Sequence, residues 1–447
     1  MSIWAYKQMN WRLPEWRAFS LVFGLLMLPA LLNGFPFLFP DSWGYSGACP
    51  DELRSPVIGC AMRPFTWAGG NWAYAIVQSA ATAAAIVLLW SRVLKRRGIL
   101  AVLTAVIAAG VGLFSGWVMA DAWTLVGFIC LFAIGAGYFH PLAAGALAFA
   151  CGAHFGNFPI LGATALALLP IVRAKKTYAV QVALCLAAAA GLVVGANLFG
   201  GSIKFGSGNG TVFLASRILH DMPEVLVRKC RQDPGFAMCP RRDEVLSWSA
   251  ENHQSFTWTA YYNLGLAWPE LNRISRELVL FSLRGAPESI YAHAAGAARN
   301  TLRLLLFPEL SNGFETFGPD SFVAQDLRIA FPADVAPYLR SLQATGALDP
   351  FLKKLDAPFI AVVWLSLCGC LLFVVTGRRR LREDMILQLA LFALMVAVVN
   401  ALFMSNLSGV FGRYQARIAF LPILAVLMLA ARWAHTDDTD AKLPSGE

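Results

Sequence analysis

The chain has 447 residues, 57% of them hydrophobic and only 14% charged, where an ordinary soluble domain carries about a quarter charged residues. That balance excludes a soluble globular protein. The net charge of +9 does not point to nucleic acid, because the basic residues gather in short connectors between apolar runs and no RNA- or DNA-binding module accompanies them.

The apolar runs are roughly 16 to 23 residues long, close to what a helix needs to cross a bilayer core. In lipid the backbone must bond within its own segment, so these runs predict helices. The expected fold is an all-α membrane protein of about ten transmembrane helices. The first span covers Phe19–Pro40, after Lys7, Arg12 and Arg17. It reads as an uncleaved span, being too long for a signal peptide and lacking a convincing small-residue cleavage site. A first outer loop follows over 41–70. The second and third spans are Asn71–Leu89 and Ile99–Val118, with a short outer turn at Met119–Trp123. Breaks at Gly135–Pro141 and Gly152–Asn157 divide the next stretch into three short spans, 123–138, 141–153 and 157–172. Such lengths fit if the helices tilt, are shielded by others, or end in a water-filled cavity. A seventh span, Tyr178–Leu198, completes an N-terminal membrane module over 1–199.

Residues 200–355 differ in kind, with frequent charges of nearly balanced sign. Val212–Val227 has apolar residues near helical spacing, and Arg273–Arg284 and Ala286–Leu306 look similar. The segment reads as a helical domain inserted between spans seven and eight. Spans at 357–376, 385–404 and 415–432 form a C-terminal module, 356–434, before a polar tail, 435–447, expected to be disordered and cytoplasmic. No internal repeat is present. Basic clusters at Arg92–Arg97, Arg173–Lys176 and Arg378–Arg382 read as cytoplasmic, which places 41–70, 200–355 and Met404–Arg417 on the periplasmic face.

Five cysteines, Cys130, Cys151, Cys185, Cys368 and Cys370, lie in apolar runs as small hydrophobes. Cys49 and Cys60 share the first outer loop, and Cys230 and Cys239 share the large outer segment. Pairs on an outer face suggest two disulfides formed in an oxidising compartment.

The titratable residues at the outer exits carry the chemistry. Asp41 stands where the first span ends, with Tyr45, Arg54 and Arg63 in the same loop. Asp121 occupies the second outer turn, and His154 and Asn157 the third. Each turn also carries an aromatic residue. Taken singly, Asp41 could be a solvated helix end, Asp121 an N-cap, and His154 a hydrogen-bonded structural residue. Arg413, Tyr414 and Arg417 precede the last span. These arginines either snorkel to headgroups or clamp a phosphate bidentately.

Together these features resemble the membrane glycosyltransferases of the GT-C superfamily, which use lipid-phosphate-linked sugars. In that family an aspartate leads the first outer loop as catalytic base, a second acidic residue stands in the next outer turn, and later outer segments hold the donor phosphate. Asp41 and Asp121 match the two acidic positions. Tyr45, Arg54-Ser-Pro56 and Arg63-Pro64 resemble the aspartate–tyrosine and arginine–proline pattern of bacterial members. His154-Phe-Gly-Asn157-Phe-Pro159 resembles the broken-span histidine segment, and Arg413-Tyr414 the closing outer-loop signature. The likeness covers about residues 19–200 and 357–432. It extends loosely to uncharacterised bacterial membrane proteins with a similar cysteine-containing outer loop, in the region Arg217–Cys239.

The resemblance implies an inverting transferase in a bacterial inner membrane, active on the periplasmic face. Asp41 and Asp121 would be catalytic, and Tyr45, Arg54, Arg63, His154, Asn157, Arg413, Tyr414 and Arg417 substrate-binding. The partners would be a polyprenyl-phosphate-linked sugar, an envelope glycan or lipid acceptor, and membrane lipids. No cofactor is certain, and a divalent metal is left open; the acidic pair is not a contiguous Asp-Asp or Asp-x-Asp. The large segment sits mid-chain rather than at the C-terminus, which argues against protein N-glycosylation. A lipid-linked-sugar transporter or flippase and a non-catalytic envelope assembly factor are the competing classes. Convergence of Asp41, Asp121 and a basic residue on one outward cavity reaching lipid would favour the transferase, and their divergence the assembly factor.

Overall fold

A computed structural model of the chain describes residues 13–46, 49, 54–199, 210–251, 255–285 and 287–440. Lys7 and Arg12 therefore lie outside the described residues. Helix α1 (Glu15–Asn33) starts behind Pro14 and ends at Gly34, whose φ of +83° closes the helix through a bond from its N–H to the Leu31 carbonyl. The first span thus ends well before Pro40, and Asp41 does not sit at its end. Instead an extended segment leads from Gly34 to the short helix α2 (Ser42–Ser46).

Helix α3 (Pro56–Leu88) opens on Ser55, whose hydroxyl accepts from the Val57 N–H, and on Pro56 at its first position. Its backbone leaves helical geometry at Gly69 and Gly70 before resuming, and it runs into a π-helical turn over Leu89–Val93. Much of the expected loop 41–70 is therefore helical, and Arg63 lies on a helix. The carboxylate of Asp334 holds the kink, accepting from the Asn71 N–H at 3.0 Å and from Asn71 Nδ2 at 2.9 Å. The expected third span is also divided. Gly110, at φ +58°, separates α4 (Ile99–Ala108) from α5 (Val111–Ser115).

The three short spans appear as α6 (Asp121–Gly135), α7 (Pro141–Ala153) and α8 (Asn157–Leu168). Every residue of α6 from Asp121 to Ile134 is buried, as expected of a helix that is apolar all round. Helix α9 (Lys175–Leu198) follows.

Helices α10 (Gly210–Asp221), α11 (Glu224–Gln232), α12 (Arg242–Glu251), α13 (Ser255–Asn263) and α14 (Trp268–Leu283) surround a core of their own, centred on Val212, Leu226, Phe256, Leu271 and Leu278. The helix expected over Val212–Val227 is broken before Pro223, which has no N–H to continue the ladder. Helices α15 (Pro287–Leu306), α16 (Phe322–Ala330) and α17 (Pro332–Leu339) belong elsewhere. Leu304, Phe314, Val323, Tyr338 and Leu348 join the large core of the apolar bundle. The described residues of 200–355 thus divide between two cores, one enclosed by α10–α14 and one continuous with the bundle, and the Asn300 amide donates to Asp221 at 2.9 Å between them.

Helices α18 (Leu348–Thr376), α19 (Met385–Leu407), α20 (Arg413–Ala416) and α21 (Phe420–Asp440) complete the chain, α21 running past the boundary at 434 read from sequence. Among the described residues, five helices (α1, α3 with its π turn, α9, α18, α19) are long and apolar enough to cross a membrane, and five further apolar helices are shorter. Both cysteine pairs stand at disulfide distance, with Cα separations of 4.9 Å for Cys49–Cys60 and 5.5 Å for Cys230–Cys239.

Candidate functional site

The segment after α1 is fixed at nearly every backbone group. Phe37 pairs with the chain before α6: its N–H donates to the Gly116 carbonyl at 3.1 Å, and its carbonyl accepts from Val118 at 3.0 Å. Gln343 grips Leu38 from both sides, accepting its N–H at 3.0 Å and donating to its carbonyl at 2.7 Å. Asn33 donates to the Phe35 carbonyl at 2.6 Å and accepts from the Gln343 N–H at 2.8 Å. The Ser42 hydroxyl accepts from the Phe39 N–H at 2.9 Å. An extended segment with long-range partners, rather than a helix end, sets the position of Asp41.

Asp41 forms an ion pair with Arg54, and its side chain remains 21% exposed. Arg54 also lies 5.8 Å from the ring of Trp258, which belongs to the separate helical body. Tyr45 is buried, and burial pushes its phenol up, with the Arg54 charge opposing.

Asp121, at the start of α6, and Arg417, just before α21, form an ion pair at 2.9 Å with both side chains closed to solvent. Arg417 lies 5.0 Å from the Tyr414 ring and reaches Asn400 Oδ1 at 3.4 Å. Removing one member of such a pair strands a buried charge, typically at about 3–5 kcal/mol. The pair ties the N-terminal helices to the last two.

Arg413 is also buried, but among the described residues it has no acidic partner. Its guanidinium carbon lies over four aromatic rings: Phe39 at 4.6 Å, Phe411 at 4.7 Å, Tyr414 at 5.2 Å and Trp117 at 5.6 Å. Its Nε is buried without a partner. Burial works against the charged form, but Tyr414, Asp121 and Asp41 outweigh it and push Arg413 upward. A caged guanidinium with an unpartnered Nε is suited to an anion.

His154 ends α7, and its Nδ1 accepts from the Gly156 N–H at 3.0 Å. Burial and the charge of Arg417 lower it to about 4, so it is neutral near pH 7. Asn157 is spoken for: it accepts from Thr124 at 2.8 Å and donates to the Ala150 carbonyl at 2.9 Å, locking α6, α7 and α8 together. Arg63 lies 4.4 Å from the Trp67 ring one turn along its own helix and is not joined to either carboxylate among the described contacts. The Tyr414 hydroxyl bonds Ser408 at 2.9 Å.

The charges of Asp41 and Asp121 thus both reach Tyr45, His154 and Arg413. Sequence reasoning missed the parts that hold them. Phe39, Trp117 and Phe411 supply the cage. Asn400 bonds the Tyr414 carbonyl at 2.7 Å and Gln415 at 2.9 Å. Asn400 carried a signal, since polar residues inside apolar spans are rare and generally paired. Among the described residues no three His, Cys, Asp or Glu side chains gather as metal ligands would. The space beside Phe39 and Ser42 measures about 20 Å³, whereas a cavity of about 830 Å³ lies at the opposite ends of α6, α19 and α21. Comparison with protein-family models, curated proteins and solved structures returns no match for this chain.

Proposed function

We propose that the protein is an inverting glycosyltransferase that moves a sugar from a polyprenyl-phosphate donor to an envelope glycan or lipid. On this reading about ten helices span a bacterial inner membrane, and the basic connectors face the cytoplasm. Asp41, Arg413 and residues 200–355 face the periplasm. The observation that carries the reading is the pairing of an accessible carboxylate with an acid-free guanidinium across one short segment. Phe39, two residues before Asp41, is the ring beneath Arg413.

Asp41 would take the proton of the acceptor hydroxyl. The freed oxygen attacks the anomeric carbon, and the bond from that carbon to the phosphate oxygen breaks. Both electrons leave with the polyprenyl phosphate, whose charge Arg413 stabilises. A single base with attack opposite the leaving group inverts the centre. Asp121 is closed to solvent and bound to Arg417, so its part is to position that arginine rather than to meet the acceptor.

Asn in place of Asp41 keeps the shape and removes the basicity. Turnover should fall by about 10²–10⁴. Mass spectrometry of envelope glycans from cells carrying the wild type or Asp41→Asn checks this: one glycan species should lose a single sugar in the variant. An unchanged glycan profile with the variant present at normal levels would sink the reading.

A further inference from the structure

The cavity of about 830 Å³ lies where α6, α8, α9, α19 and α21 present the ends remote from Asp41 and Asp121. Its floor is apolar, formed by Phe132, Leu168, Val172 and Met428. Its rim is basic. Lys95 and Arg97 come from the connector before α4, Arg173 from the connector before α9, and Arg380 from the connector before α19. Asp384 also lines it but is engaged with Arg432 and with the start of α19. Glu383 is the one other acidic side chain on the rim. Among the described residues Lys95, Arg97 and Arg380 have no ion-pair partner. Arg173 donates to the Arg382 carbonyl at 2.9 Å, which pins two connectors together at the edge.

Orientation in a membrane needs cations on the connectors, but it does not need them to share a rim. Here three connectors far apart in sequence bring four cations around one opening, above a floor that a headgroup alone would leave unused. We propose that this cavity binds an anionic amphiphile, with a phosphate-bearing headgroup on the Lys95, Arg97, Arg173 and Arg380 rim and a hydrocarbon chain on the floor. Arginine and lysine at this density select a phosphate, and an apolar floor adds affinity only for a ligand with a chain to bury. The site stands apart from the transferase reading, because it uses none of the residues around Asp41.

The test is native mass spectrometry of the full chain in detergent, titrated separately with phosphatidic acid, phosphatidylcholine and inorganic phosphate. Phosphatidic acid should be retained at about tenfold lower concentration than either of the others. A Lys95→Gln, Arg97→Gln, Arg380→Gln variant should lose about tenfold, the usual worth of three partly exposed charge contacts. Ala136→Phe changes no charge and fills the cavity from the end of α6, so it should weaken retention similarly even if the triple variant fails to insert. Equal retention of phosphatidylcholine would overturn the proposal. So would undiminished binding of phosphatidic acid in Ala136→Phe. Inorganic phosphate binding as tightly as phosphatidic acid would remove the hydrocarbon half and with it the amphiphile.

Discussion

His154 is the residue at which pH meets the fold. Its folded-state value of about 4 lies below the ordinary histidine value of 6.5. Between those two values the unfolded chain binds the proton that the folded protein refuses, so folding stability rises with pH across that window. The contribution is fully present above about pH 6.5 and is lost as pH falls toward about 4, amounting to at most about 3 kcal/mol. Thermal melts in detergent at pH 7, 6, 5 and 4.5 should show this decline, and His154→Gln should flatten it. The charged residues of the site were legible because an Asp or Arg at the end of an apolar run stands out. The cage around Arg413 was not. Aromatic residues make up 12% of the chain, so nothing marks Phe39 or Trp117 before the chain folds around them.

At the scale of elements, the existence of most helices was readable and their interruptions were not. Gly34, Gly70 and Gly110 adopt positive φ and end or bend their helices, yet glycine is common inside membrane helices and does not announce a break. The apolar run therefore reads as one span to Pro40, with Asp41 at a helix end, although the helix closes at Gly34. The turn after α15 has the same character and reaches the site. Gly313 sits at φ +100°, and a Cβ there would press into the indole of Trp117 and meet Arg413 Cδ at 3.1 Å. Gly313→Ala should therefore cost about 1–3 kcal/mol and loosen the cage. The melting temperature should fall and the tryptophan emission should shift, whereas Gly318→Ala, at a glycine with open space around it, should change neither. An unchanged emission in Gly313→Ala would show that the cage tolerates the displacement.

For the whole molecule, the two cores matter most. Composition alone marked 200–355 as distinct, but it could not show that the later helices of this segment join the core of the bundle while α10–α14 enclose a core of their own. Periodicity reports which face of a helix is apolar, not which neighbour covers it. The Cys230–Cys239 disulfide lies wholly within the separate body, where both cysteines pack against its core. Cys230→Ser should destabilise that body by about 2–3 kcal/mol, as expected for a short closed loop. Hydrogen exchange should speed up across α10–α14 and stay unchanged in α6 and α19. Equal acceleration in both would mean that the two cores unfold as one.

The brevity of α7 and α8 has a consequence for the lipid around the protein. At 13 and 12 residues they reach roughly 18–20 Å, against a hydrocarbon thickness of about 30 Å. Helix α6 is enclosed by protein, but α7 and α8 turn Leu142 and Leu166 outward at 77% and 68% exposure. On the proposed topology, in which α7 and α8 cross the membrane, the bilayer thins on that flank to match them. On that topology the headgroup layer would dip toward the turn holding His154, and the shape of the membrane itself would carry an amphiphile inward on that side, with its tail still in hydrocarbon.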